Sequence, residues 1–206
     1  MHWIPPMGFR MWTKGTEQQS MEESDCDLMT RLGRGDDLAL NVLMDRWSAR
    51  IISFLYRMSG RHDTAVDLAQ ETFVKLYAAR ERYRATGNFS TYLFGIAVNL
   101  YRNHLRWLGR HPSVSLDGPG QKRGELVRSS FVSPSDQVER AETWSAVEEA
   151  LRRLPVELRE AISFYVYEGM TYAEIAGITK CTVKAVENRI YRARQILREE
   201  LKEVRK

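Results

Sequence analysis

From residue 24 to about residue 107, apolar side chains recur at three- and four-residue steps, and strand-like alternation is absent from the chain. Residues three and four apart share one face of a helix, whereas a strand buries every second residue, so this periodicity sets the fold class as all-α. One long tract breaks it. In GRHPSVSLDGPGQKRGELVRSSFVSPSD, residues 109–136, Pro, Gly and Ser concentrate among balanced charges, the composition of a flexible linker. Helical patterning resumes near residue 137. The expected architecture is two small helical domains, 24–108 and 137–206, joined by that linker and preceded by a leader, 1–23.

Local signals fit this division. Ser24 and Asp36 are expected N-caps, SGRH at 59–62 is a break, and Leu154-Pro155 marks a new helix start, where proline is tolerated. The leader contains prolines and no apolar run of seven or more residues, which argues against a signal peptide. Met1, Met7, Met11 and Met21 all precede the first periodic segment, as expected of a disordered leader or of a start codon placed too far upstream. Nothing downstream approaches a membrane span, so no direct membrane insertion is expected.

The 206 residues are 43% hydrophobic and 28% charged, ordinary for a soluble chain. Cys26 and Cys181 lie far apart, without the paired spacing of a zinc site; a reduced, cytoplasmic chain with no metal is expected. There is no Gly-rich phosphate loop ending in Lys-Ser/Thr, no HExxH and no credible Ser/His/Asp set, so neither an enzyme nor a cofactor is expected. A net charge of +4 hints at an anionic partner only because the basic residues cluster near the C-terminus.

That cluster lies in EIAGITKCTVKAVENRIYRARQIL, residues 174–197. A helix from about 171 to 179, a short turn and a helix capped by Thr182 read as helix-turn-helix. Val183, Val186, Ile190, Ala193 and Leu197 form a seam toward a small core, and Lys184, Asn188, Tyr191, Arg192 and Gln195 take the opposite side. Ala176 is small where the helices must touch. Lys180 stands where the turn usually holds Gly, at a cost of roughly 1 kcal/mol. Cys181 reads as a small buried hydrophobe. The polar face either enters a major groove or is the solvated side of an ordinary helical hairpin; the run Arg189, Arg192, Arg194 and Arg198 favours the groove.

Two further stretches have distinct faces. In DLAQETFVKLY, Leu68, Phe73, Leu76 and Tyr77 point inward, leaving Asp67, Gln70, Glu71 and Val74 outside. In FSTYLFGIAVNLYRNHLRW, Phe89, Leu93, Ile96/Ala97, Leu100 and His104 describe a buried side. Tyr92, Asn99, Arg102, Asn103 and Arg106 share the other. An aromatic ring beside amides and arginines suits unpaired bases, which stack for ~1–3 kcal/mol each. Tyr92 is either such a platform or ordinary core, and His104 reads as a packed or capping residue.

Residues 67–107 resemble the second conserved region of bacterial sigma factors of the extracytoplasmic-function group, and residues 151–201 resemble that group's fourth region. With both motifs in order, the resemblance runs from about 25 to 201, interrupted by the linker. It implies a protein that binds core RNA polymerase and directs promoter-specific initiation. Asp67, Gln70, Glu71 and Val74 would meet the clamp helices of the largest subunit, and the fourth region would meet the flap. Tyr83, Asn88 and Ser90, in the loop before the last helix of the first domain, would join Tyr92, Asn99, Arg102, Asn103 and Arg106. Together they would open the minus ten element and hold a flipped base. Thr182, Lys184, Glu187, Asn188, Tyr191 and Arg192 would read the minus thirty-five element.

Family members are commonly held inactive by a membrane-anchored anti-sigma partner, although no residue here identifies one. Three positions depart from the family: Gly95 and Val98 stand where basic side chains are frequent, weakening the expected phosphate contact, and Asn103 stands where an acid is common. A dimeric helix-turn-helix regulator that works without polymerase, and an interaction protein that only sequesters a partner, are the alternatives.

Overall fold

Residues 23–85, 87–111 and 146–202 are described by the computed structural model, and their regular structure is helical. Ser24 caps α1 (Asp25–Gly33), its hydroxyl accepting from the Asp27 amide at 3.2 Å, with Asp25 and Asp27 in the first turn where the helix dipole favours acids. Helix α2 (Leu38–Ser59) is preceded by Asp37, which makes no side-chain cap. Asp36, the expected cap, does cap the start of this helix: its carboxylate accepts from the Leu38 amide at 3.2 Å, ahead of Asp37 with its helical backbone angles, and also from Arg31 Nε at 2.9 Å. Gly60, at φ 72°, ends α2 in left-handed space and returns its amide to the Tyr56 carbonyl at 2.8 Å. The expected break at 59–62 is therefore a real corner.

Next come α3 (His62–Ala78), a 3-10 turn (Arg80–Arg82) and α4 (Phe89–Arg110). Helix α2 buries Leu43, Trp47, Ile51, Phe54, Leu55 and Met58 along one stripe, each large apolar side chain contributing ~1.5–3 kcal/mol on burial. Helices α1, α3 and α4 close around that stripe.

Two edges differ from expectation. Glu23, assigned to the leader, is tied in: its carboxylate pairs with Arg31, and its carbonyl oxygen accepts from Arg46 Nη1 at 2.8 Å. Helix α4 runs through Gly109 and Arg110, two residues past the expected boundary. The rest of the leader, and the linker from residue 112, lie outside the described residues.

The second group comprises α5, helical over 146–153, α6 (Val156–Tyr167), α7 (Tyr172–Thr179) and α8 (Val183–Glu200). Pro155 precedes α6 as its N-cap residue. Helix α8 lies across α6 and α7.

The two groups are docked on each other, α2 against α6 and α4 against α7. At the centre, the Phe164 ring of α6 stacks on Phe54 of α2 at 4.7 Å and meets the edge of Phe94 of α4 at 5.5 Å. All three rings are fully buried, so one apolar core runs through both domains.

Candidate nucleic-acid interface

The second domain presents α8 by means of two caps. Thr171 and Glu174 form a reciprocal capping box at the start of α7: the threonine hydroxyl accepts from the Glu174 amide at 3.3 Å, and the carboxylate accepts from the Thr171 amide at 2.8 Å. These bonds hold the Glu174 carboxyl below its ordinary range. Helix α7 ends at Lys180, at φ 54° and ψ 49°, the left-handed conformation expected from the sequence. Thr182 then caps α8, accepting from the Ala185 amide at 3.1 Å.

Val186, Ile190 and Ala193 seat α8, each at most 1% exposed. Val183, expected in the same seam, is 50% exposed: at the first helical position it projects beyond the surface that supports the helix. Leu197 is half-buried.

Lys184, Glu187, Asn188, Tyr191, Arg192 and Gln195 all face outward, with Thr182 exposed at the helix start. Lys184 Nζ pairs with Glu187 at 2.8 Å, and Gln195 donates to the Tyr191 hydroxyl at 2.8 Å. The arginine run divides. Arg192 and Arg198 are exposed, whereas Arg189 folds back to Cys181 Sγ at 3.5 Å and Arg194 lies over the Tyr165 ring at 5.0 Å. Cys181 is half-buried, less enclosed than the sequence suggests.

On α3, Asp67, Gln70, Glu71 and Val74 share the exposed side, with Val74 64% exposed. On α4, Asn99, Asn103 and Arg106 are exposed, and Arg106 Nη2 donates to Asn103 Oδ1. Tyr92 is half-buried rather than either extreme: its ring meets that of Tyr83 edge-on at 5.1 Å, and burial raises its hydroxyl pKa. Tyr83 leans on Phe89 at 6.4 Å and lies 3.5 Å from Cys26 Sγ; burial and that contact raise its own pKa. Ser90 is half-buried. His104 is half-buried beside Trp107, and burial together with Arg61 lowers its pKa. Val98 is 1% exposed, so this side chain belongs to the core and not to a phosphate-facing surface.

Two members of the expected set have partners in the second domain. Arg102 forks onto Glu160 of α6, with Nε donating at 3.0 Å, and these bonds raise its pKa. Asn88 Nδ2 donates to Glu174 of α7. Sequence reasoning missed Glu160. The signal was an acid with apolar residues four positions to either side, Val156 and Phe164, on a helix face that must pack. Among the described residues, no helix is long and apolar enough to cross a membrane and no His/Cys/Asp/Glu group could hold a metal ion.

Comparison with known proteins matches residues 43–111 to the model of sigma-70 region 2 and residues 144–197 to that of sigma-70 region 4. The RNA polymerase sigma-H factor of Pseudomonas aeruginosa is 32% identical over 179 residues, 85% of this chain and 93% of the relative. The ECF RNA polymerase sigma-E factor of Haemophilus influenzae is 33% identical over 178 residues, 84% of this chain and 93% of the relative. Among solved structures, the sigma factor RpoE of Bartonella quintana, crystallised with the anti-sigma factor NepR, superposes with a TM-score of 0.64 at 25% identity, covering 79% of this chain and 96% of that one. CnrH, in complex with the cytosolic domain of CnrY, shares the fold with a TM-score of 0.61 at 24% identity over 87% of this chain and 97% of its own.

Proposed function

The chain belongs to the extracytoplasmic-function group of the sigma-70 family, sigma factors that bind core RNA polymerase and direct promoter-specific initiation, and from that premise we propose which surface performs each step. The exposed side of α3, with Asp67, Gln70, Glu71 and Val74, docks on the clamp helices of the largest subunit, and the second domain docks on the flap. Tyr83, Asn88, Ser90, Tyr92, Asn99, Arg102, Asn103 and Arg106 take the unpaired minus ten strand. The tyrosine pair supplies stacking surface, and the arginines hold phosphates.

Thr182 and Lys184, at the start of α8, hold a phosphate where free backbone amides also favour an anion. Glu187, Asn188, Tyr191 and Arg192 face the base edges of the minus thirty-five element. Bond making in RNA synthesis belongs to the polymerase, and this chain contributes no reaction of its own. We place it in the cytoplasm with the polymerase, held there by an anti-sigma partner as the Bartonella relative is bound by NepR.

The observation that carries this reading is the outer face of α8, polar and exposed along its length while Val186, Ile190 and Ala193 fix the helix from behind. In vitro transcription with core polymerase on a library of genomic fragments tests it. Start sites sharing two upstream elements at one fixed separation are expected. Sequence-specific DNA binding that needs no core enzyme would replace it with the dimeric-regulator reading.

A further inference from the structure

Tyr83 supplies one ring of the tyrosine pair assigned above to unpaired bases, and the inference rests on that assignment. It stands at the end of the 3-10 turn, where its amide reaches the Arg80 carbonyl at 3.4 Å, long for a hydrogen bond. The turn alone therefore holds the ring loosely.

A firmer hold comes from α1. Cys26, Met29 and Gly33 follow one another at three- and four-residue steps and share one side of that helix. At the first of them, Cys26 Sγ meets the Tyr83 hydroxyl at 3.5 Å, within the longer reach of sulfur, and gives a half-buried phenol a polar partner. At the last, a Cβ on residue 33 would stand 3.0 Å from the Arg80 carbonyl oxygen, the same atom that takes the Tyr83 amide. Glycine is what lets the two backbones approach so closely.

A second route joins α1 to the same ring. Asp25 accepts from Trp47 Nε1 at 3.0 Å, the Trp47 ring meets Phe89 edge-on at 5.6 Å, and Phe89 meets Tyr83 edge-on at 6.4 Å. Tyr83 is thus held from two sides, and both holds begin on α1. The helix itself is well anchored, since Leu28, Met29 and Leu32 are at most 1% exposed and Arg46 pairs with Asp25 at 3.0 Å.

We infer that α1 is a positioning element for strand capture: Cys26 and Gly33 aim the Tyr83 ring, and through its edge-on contact at 5.1 Å that of Tyr92, before any base is unpaired. Rings already held in place take a base without first losing their own side-chain freedom. Neither Cys26 nor Gly33 touches DNA; both act through Tyr83.

The test uses the full chain with core polymerase on a promoter recovered from the fragment library, carrying 2-aminopurine in the minus ten element. Fluorescence then reports unpairing, and gel-shift titration in the cold reports closed-complex binding. Cys26→Ala should slow opening roughly threefold, as the loss of one weak hydrogen bond implies, and leave core affinity and closed-complex binding unchanged. Tyr83→Phe keeps the ring, removes the hydroxyl and should slow opening by the same factor, after which Cys26→Ala should add nothing. Gly33→Ala pushes on the Arg80 carbonyl and should slow opening about tenfold.

Losses that add between Cys26→Ala and Tyr83→Phe, or losses equal in closed and open complexes, would overturn the positioning role. Should Gly33→Ala unfold the first domain, the Cys26 and Tyr83 substitutions, which remove atoms and add none to the contact, still decide. Unchanged opening in Tyr83→Ala would overturn the assignment of Tyr83 to DNA, and the inference with it. A loss in Tyr83→Ala with none in Cys26→Ala would overturn the inference alone.

Discussion

Lys180 is, among the described residues, the one non-glycine residue with positive φ, and its side chain is exposed, with no hydrogen bond or ion pair among those residues to offset the strain. Lys180→Gly should therefore stabilise the protein by about 0.5–1 kcal/mol in urea denaturation: glycine removes a left-handed penalty of ~1–2 kcal/mol and gives back part of it as unfolded-chain entropy. Position on α8 separates two further residues. Arg192 is two turns into the helix and reaches bases, whereas Lys184 is in the first turn beside the phosphate site. On promoter variants with core enzyme at fixed salt, Arg192→Ala should flatten preference at one or two base pairs, a loss of ~1–3 kcal/mol of discrimination. Lys184→Ala should instead weaken all sequences about equally and reduce the salt slope by roughly one. The reverse pattern would mean that α8 docks in a rotated orientation. The strain at Lys180 and the outward side of α8 were legible in the sequence because each follows from local spacing. The inward turns of Arg189 and Arg194 were not, since a side chain that long reaches either face from the edge of a helix.

The element on which the helix-turn-helix depends is α7, only eight residues long and too short to be stable alone. Its capping box therefore matters more than it would in a longer helix. Thr171→Ala should cost about 1 kcal/mol, while Glu174→Gln, which keeps the side chain's acceptor for the Thr171 amide, should cost less. The Glu174 carboxyl, first through the Thr171 amide and then through its hydroxyl and Asn88, titrates below its ordinary value of 4.5. A folded-state pKa below the unfolded one gives stability that is present above the unfolded value and lost as pH falls through the folded one. The stability difference between parent and Glu174→Gln, which removes the titrating group, should accordingly be constant near neutrality and shrink below about pH 4.5, as read from denaturation midpoints across pH. A difference independent of pH down to 3 would assign the cap to the hydroxyl alone. The helix-turn-helix and its threonine cap at 182 were readable, because cap, turn residue and apolar step occur within a dozen residues. Val183 was misplaced for a matching reason: periodicity identifies the side of a helix and says nothing of where its support ends.

At the scale of the molecule, the sequence pattern divides the chain into two helical groups but does not show that each leaves an apolar surface for the other. Phe54, Phe94 and Phe164 are apolar residues within helical stretches, as any residue of a domain's own core would be, so none of them betrays the docking; only Glu160, an acid placed where a helix must pack, departs from the pattern. Long-range pairing of this kind is not encoded in local periodicity. Its energetic consequence can be measured. Removing a fully buried phenylalanine leaves a cavity and costs ~3–5 kcal/mol when the surroundings cannot close over it. In Phe164→Ala the ring lost is the one that touches both α2 and α4, so the loss should be shared by the two domains. Hydrogen exchange should quicken at amides of α2 as well as α6, and the unfolding transition seen by circular dichroism should stay single while its midpoint falls. A change confined to α5–α8, or a transition that splits in two, would mean that the domains unfold independently and that their contact adds little stability. Coupled loss across both groups would show that the free protein is held closed by its own core, against which the binding energy of the polymerase must act.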